Sequence, residues 1–251
     1  MLRWGITEGF DPCFDLSFEK RLCEANIIIT KNVSKIHDIL IRNKEKCILH
    51  ATITGYGGTR NIEPNVPSET ESYTYINNLI DDGFPKNQIV LRVDPIFPNE
   101  KGIEIAKSVI TKSIEMVGIK RLRFSYLDMY PHVRKRFENV GLKSQWFTNL
   151  SISRNFESWV ENLWHFDIIE ACAENSKYKA PCISGMDMLI LGIRGELQGS
   201  SNQRSQCDCP KNKTELLKNK KYRCPHQCLY CYWHDKEEKV EEVDLLARFL
   251  Y

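Results

Sequence analysis

Nothing in the 251 residues approaches a membrane span, which takes roughly 18 consecutive apolar residues. An excess of one charge is also missing. The 35 Lys and Arg against 33 Asp and Glu leave a net charge of +2, too small to require a polyanionic partner. No internal repeat is present, which excludes a solenoid or propeller, and no low-complexity segment is present either. The opening Met1-Leu-Arg-Trp-Gly lacks the apolar core of a secretion signal. The expectation is a cytoplasmic protein with no membrane partner. At 42% hydrophobic and 27% charged residues, the composition supports an ordinary buried core, and the length suits one domain.

Cysteine is what the chain has in excess. Ten are present: Cys13, Cys23, Cys47, Cys172, Cys182, Cys207, Cys209, Cys224, Cys228 and Cys231. Secreted disulfide scaffolds are usually shorter and carry a leader. In a reducing cytosol, clustered cysteines read as metal ligands.

Short β-rich apolar runs predict strands over 2–6, 27–30, 48–54, 89–94, 121–126 and 167–171. Between them, i, i+3, i+4 apolar spacing predicts helices over 33–41, 103–117 and 152–164. A final helix is expected over 237–251. This alternation predicts an α/β fold with a parallel sheet, open or closed into a barrel. The expected layout is a (βα) core over 1–195 and a cysteine-rich segment over 196–251 belonging to the same domain. In such folds ligands gather at the C-terminal ends of strands. Arg92, Asp94, Ser125, Asp128 and Glu174 follow or end predicted strands and are candidates for binding cofactor or substrate.

The densest signal is Cys224-Pro-His-Gln-Cys228-Leu-Tyr-Cys231, a C-x3-C-x2-C spacing. Three thiolates at this spacing can hold three irons of a [4Fe–4S] cube and leave the fourth open. The alternative is a structural zinc completed by His226 or His234. Tyr230 and Tyr232 flank the last cysteine and would screen a centre there from water.

This loop resembles the signature of radical S-adenosylmethionine enzymes, and its Tyr-Cys-Tyr form is similar to that of spore photoproduct lyases. The chain as a whole resembles the family called domain of unknown function 1848. The matching stretches include Ile29-Thr-Lys-Asn, Thr52-Ile-Thr-Gly-Tyr-Gly, Ile62-Glu-Pro-Asn-Val-Pro, Arg92-Val-Asp-Pro-Ile, Ser125-Tyr-Leu-Asp-Met-Tyr, Cys172-Ala-Glu and Asn202-Gln-Arg. The N-terminal Trp4-Gly-Ile-Thr-Glu departs from the family's pattern. The resemblance implies a TIM-like (βα) barrel, partial or full. It is circularly permuted, because the cluster loop comes last here and first in ordinary radical enzymes. It also implies S-adenosylmethionine bound at a [4Fe–4S] cluster, reduced by a donor such as flavodoxin or ferredoxin and cleaved to a 5′-deoxyadenosyl radical that abstracts hydrogen from a substrate.

Cys172, Cys182, Cys207 and Cys209 form a second set, each with a counterpart in the family pattern. Four thiolates suffice for a second [4Fe–4S] cluster; structural zinc or plain buried thiols are the alternatives. Cys13, Cys23 and Cys47 read as structural. Lys120-Arg-Leu-Arg-Phe, His132-Val-Arg-Lys-Arg-Phe and the Lys-rich stretch 211–223 are basic segments of the kind that contact nucleic acid. With the likeness to spore photoproduct lyases, they suggest a modified thymidine or other base in DNA as substrate. The alternatives are a radical enzyme acting on a peptide or small metabolite, and a zinc-stapled nucleic-acid-binding module without catalysis.

Overall fold

A computed structural model describes residues 2–59, 61–141, 150–172, 176–194, 197, 199, 208–217 and 224–233. The helix expected over 237–251 lies outside them.

Seven strands are present among the described residues: β1 (Trp4–Ile6), β2 (Ala25–Thr30), β3 (Cys47–Thr52), β4 (Ile89–Ile96), β5 (Arg121–Tyr126), β6 (Ile168–Ala171) and β7 (Lys213–Glu215). They form one parallel sheet in the order β6-β5-β4-β3-β2-β1-β7. The helices are α1 (His37–Arg42), α2 (Glu69–Asp81), α3 (Glu100–Met116), α4 (Pro131–Asn139), α5 (Leu150–Asn162) and α6 (Gly185–Ile190). The mixed α/β class and the six sequence-predicted strands are found, with ends moved by one or two residues. The helices expected over 103–117 and 152–164 are α3 and α5. The expectation over 33–41 is met by a 3-10 turn, Val33–Ile36, running into α1. No described helix is long and apolar enough to cross a membrane.

β7 corrects one expectation. It falls in the Lys-rich segment 211–223, for which the sequence suggests no strand, yet it pairs in parallel with β1 through Trp4↔Lys213 and Ile6↔Glu215. The Lys213 side chain is nearly buried and pairs with Glu8 at 2.8 Å. Three residues with no apolar alternation carry no strand signal; the partner strand creates it.

Strand alternation sorts the sheet into two faces. Ile28, Leu49, Ala51, Leu91, Val93, Leu122 and Phe124 join the main core with Tyr73, Ile76 and Leu79 of α2, Ile103, Ala106 and Ile110 of α3, and Phe156 and Val160 of α5. The opposite face starts apolar, with Trp4, Ile6, Ile27, Ile48 and Val90 covered by Ile183 and by Met188 of α6. It turns polar toward the strands' C-terminal ends. There the register aligns Thr52, Arg92, Arg123 and Glu170 in one row across β3 to β6.

α2 shows how local sequence fixes an end. The Ser68 hydroxyl accepts from Glu71 N–H while the Glu71 carboxylate accepts from Ser68 N–H, a reciprocal capping box. α3 opens on Asn99, whose side chain accepts from Gly102 N–H at 2.7 Å.

Candidate functional site

Beyond the polar row, at the C-terminal edge of the sheet, lies a cavity of about 290 Å³. It falls near the lower end of the range for small-molecule sites. The ends of β1 to β6 supply Thr7, Thr30, Thr52, Asp94, Ser125 and Cys172 to its wall. The structure brings most of the sequence-predicted residues here together: Arg92, Asp94, Ser125, Asp128, Cys172, Cys182, Cys209, Cys224, Cys228 and Cys231 all line this one cavity. Glu174 and Cys207 lie outside the described residues. None of the nine described cysteines is in a disulfide.

The cysteine loop is clamped from three sides. His226 is buried, and both its ring nitrogens face acceptors: Nδ1 lies 2.9 Å from the Asn65 carbonyl and Nε2 lies 2.9 Å from Asp11 Oδ2. Asp11 also accepts from Cys13 N–H at 3.0 Å, from the Thr30 hydroxyl at 2.7 Å and from Lys31 N–H at 2.7 Å. The loop is thereby tied to the end of β2. From the turn after β3, the Ile62 carbonyl accepts from Leu229 N–H at 3.0 Å, and Asn65 Nδ2 donates to the Pro225 carbonyl at 2.6 Å. From α4, Arg136 Nε donates to the Leu229 carbonyl at 2.9 Å, and His132 Nε2 donates to the Tyr232 carbonyl at 2.8 Å. Gln227 takes a left-handed φ of 53° to turn the chain between the first two cysteines.

A buried ionic network lies beside Cys228. Lys31 Nζ donates to Glu63 Oε1 at 2.7 Å, and the Thr54 hydroxyl donates to Glu63 Oε2 at 2.7 Å. The Tyr230 hydroxyl also donates to Glu63. Lys31 sits 5.5 Å above the Tyr230 ring. Burial and the nearby Glu63 charge push the Cys228 thiol well up, against the pull of Lys31. Burial pushes Cys224 up to about 11. Both shifts favour the protonated thiol, so capture of a metal here would release protons.

A second group of thiols forms around Cys182. Its backbone N–H donates to Cys209 Sγ at 3.5 Å, and its own Sγ lies 3.8 Å from Glu8 Oε1. The neighbouring Cys182 thiol and burial push the Cys172 thiol well up. Arg123 Nη1 donates to Cys172 Sγ at 3.3 Å. Nearby, Arg92 Nε donates to Asp94 Oδ2 at 2.9 Å, and Arg92 Nη1 is buried without a partner.

A family model described as Domain of unknown function (DUF1848) matches residues 11–233. The chain belongs to this family. No curated protein and no solved structure matches it. The match to DUF1848 opens on Asp11 and closes on Trp233, so it spans both the Asp11 clasp and the whole cysteine loop. It leaves out Trp4-Gly-Ile-Thr-Glu.

Two of the basic stretches of this DUF1848 chain are exposed only in part: Lys120, Arg134 and Lys135 face solvent, whereas three arginines are turned inward. Arg123 pairs with Glu170 at 2.6 Å and Arg121 with Asp187 at 2.6 Å, all four buried. Arg136 is buried against the cysteine loop. The arginines on β5 face inward because a strand's alternation puts 121 and 123 on the face opposite Leu122 and Phe124. Sequence reasoning missed Asp11, Lys31 and Glu63. Only Lys31 stands in an informative place, after a strand end. Asp11 and Glu63 lie in segments without periodicity, and their roles appear once His226 and Tyr230 arrive from more than 160 residues away. Cys23 and Cys47 sit in the main core, as expected. Cys13, in the same core, also stands beside the clasp: with Asp11 and His226 it brings ligand atoms within 4.8 Å of one another, a set of the kind that binds metal. Both Asp11 oxygens already accept from protein donors, which favours a clasp over an ion at that point.

Proposed function

We propose that this chain is a radical S-adenosylmethionine enzyme built on a circularly permuted, partial (βα) barrel. The observation that carries the reading is the meeting of Cys224, Cys228 and Cys231 on an inner cavity at the C-terminal edge of a parallel sheet. The donor set fits an iron–sulfur cube: three thiolates from one short loop, with no fourth thiol in that loop. The strand order supports the permutation. Read from β7, every strand lies beside its successor, β7-β1-β2-β3-β4-β5-β6. The strand that precedes the cysteine loop therefore stands where a first strand would.

A cluster of this type, reduced by a flavodoxin- or ferredoxin-like donor, supplies the electron that cleaves S-adenosylmethionine to a hydrogen-abstracting 5′-deoxyadenosyl radical. The chain's own residues do the rest. Asp11 and His226 hold the loop against β2. Leu229 and Tyr230 pack into an apolar cluster with Phe97 and Phe137 and keep water from Cys228. Lys31, Arg92, Asp94, Ser125 and Asp128 present charge and hydroxyl groups to the cavity and orient the polar groups of cofactor and substrate. The substrate we assign is small enough to enter whole, a metabolite, a free nucleotide or one residue of a peptide. A modified thymidine in duplex DNA would have to flip out to reach this cavity, and Arg121, Arg123 and Arg136 are committed to internal contacts.

Anaerobic reconstitution with iron, sulfide, dithionite and S-adenosylmethionine tests the reading. The expected product is 5′-deoxyadenosine, formed by the native chain and lost in Cys228→Ala. A closed four-ligand zinc at the loop, or no 5′-deoxyadenosine from iron-loaded protein, would overturn it.

A further inference from the structure

The sheet is open among the described residues: β6 is one edge, β7 the other, and no strand pairing joins them. Yet side chains from the two edges meet. Cys172 follows the last residue of β6, and Arg123 Nη1 ties it to the Cys182 segment by donating to both Cys172 Sγ and the Pro181 carbonyl at 2.7 Å. Cys182 in turn touches Glu8, just beyond β1, and Cys209, four residues before β7. The segment between these thiols is held on both sides. Lys179 forms a β-bridge with Ala171 at the end of β6, and its Nζ pairs with Asp208 at 3.1 Å. Three thiols from three separate chain segments thus converge at the seam between the sheet's edges.

Polar donors reach these sulfurs. Arg123 Nη1 donates to Cys172 Sγ and the Cys182 backbone N–H donates to Cys209 Sγ. Lys213 lies on β7 with its side chain nearly buried, paired with Glu8, which Cys182 also touches. N–H donors and cations aimed at sulfur stabilise the anionic form. Plain buried thiols would sit among apolar side chains, as Cys47 does. A structural zinc is closed off by four ligands, whereas all three of these thiols line the wall of the cavity.

We infer that Cys172, Cys182 and Cys209 hold a second iron–sulfur centre, which fastens the two edges of the sheet and forms part of the wall of the same cavity as the cysteine loop. The inference rests on the geometry of this seam and stands whether or not the loop itself binds a cluster. It gives the fold a closure that backbone pairing does not supply. Its loss is therefore felt as instability as well as lost metal.

Metal and sulfide counting on full-length protein, purified without oxygen, separates the two centres. The variant Cys224→Ala/Cys228→Ala/Cys231→Ala keeps the seam intact and is expected to retain about four irons with matching sulfide. The variant Cys172→Ala/Cys182→Ala is expected to lose the same amount, to melt at a lower temperature than the loop variant, and to be cut faster by protease. The inference is overturned if the loop variant holds no iron, or holds a single zinc. It is equally overturned if the seam variant keeps the native iron content. Unchanged iron in the loop variant would instead sink the reading of the cysteine loop. Should the seam variant fail to fold, the loop variant still decides the matter.

Discussion

Lys31 and Glu63 form the most consequential ion pair near the site. Glu63 is fully buried and takes donors from Lys31, Thr54 and Tyr230. Removing the cation leaves a buried carboxylate with hydroxyl donors alone. Lys31→Met is expected to cost about 3–5 kcal/mol of stability, whereas replacing both partners by apolar residues recovers much of that. Urea unfolding of the single and double variants measures it; a single-variant cost below about 1 kcal/mol would mean the pair is solvated. His50 offers a pH test. It is buried in mid-strand, neither ring nitrogen has a partner, and burial together with Arg123, Arg92 and Arg121 holds it well below its ordinary value. A depressed histidine is neutral when folded and takes up a proton only on unfolding. Its stabilising share is thus complete above the unfolded value of about 6.5 and falls as pH drops below it, by at most about 1.4 kcal/mol per pH unit. Thermal melts at stepwise lower pH should show this slope, reduced by one proton in His50→Leu.

The turn between β3 and α2 carries Ile62, Glu63 and Asn65, three of the residues that hold the cysteine loop. Its path depends on a close approach at Gly57, where a Cβ would stand 2.0 Å from the Pro67 carbonyl oxygen. Gly57→Ala must push that backbone aside. The expected cost is about 1–3 kcal/mol, accompanied by weaker iron loading of the cysteine loop, measured by denaturation and metal analysis in parallel. The helix that follows is independent of the site. Ser68→Ala, which breaks the α2 capping box, is expected to cost about 1 kcal/mol and to leave iron loading unchanged. Together the two substitutions separate damage to the turn from damage to the helix. At this scale the long apolar-periodic segments were legible: α3 and α5 show their buried faces in the sequence. α2 was not, because its buried Ser72, Tyr73, Ile76 and Leu79 are diluted by polar residues. β7 was not, because Lys213-Thr-Glu acquires strand geometry only by pairing with β1.

For the molecule as a whole, the inward arginines bear on partners. Affinity for duplex DNA falls with salt in proportion to the phosphates contacted. With Arg121, Arg123 and Arg136 committed inside, we expect a log–log salt slope shallower than about −2; a slope near −6 in a filter-binding titration would restore DNA as the substrate. By itself, the sequence determined the α/β class, the parallel order of strands and helices, and the three-thiol loop, since periodicity and cysteine spacing are local patterns that survive without a fold. Only the tertiary structure decided that the loop faces the strand ends, that Cys172, Cys182 and Cys209 line one cavity with it, and that Arg121, Arg123 and Arg136 serve as internal braces. Those outcomes depend on partners such as Asp11, Glu170 and Asp187. Such partners lie 47 to 215 residues away along the chain, and which of them meet is set by sheet order and register, which no short stretch of sequence encodes.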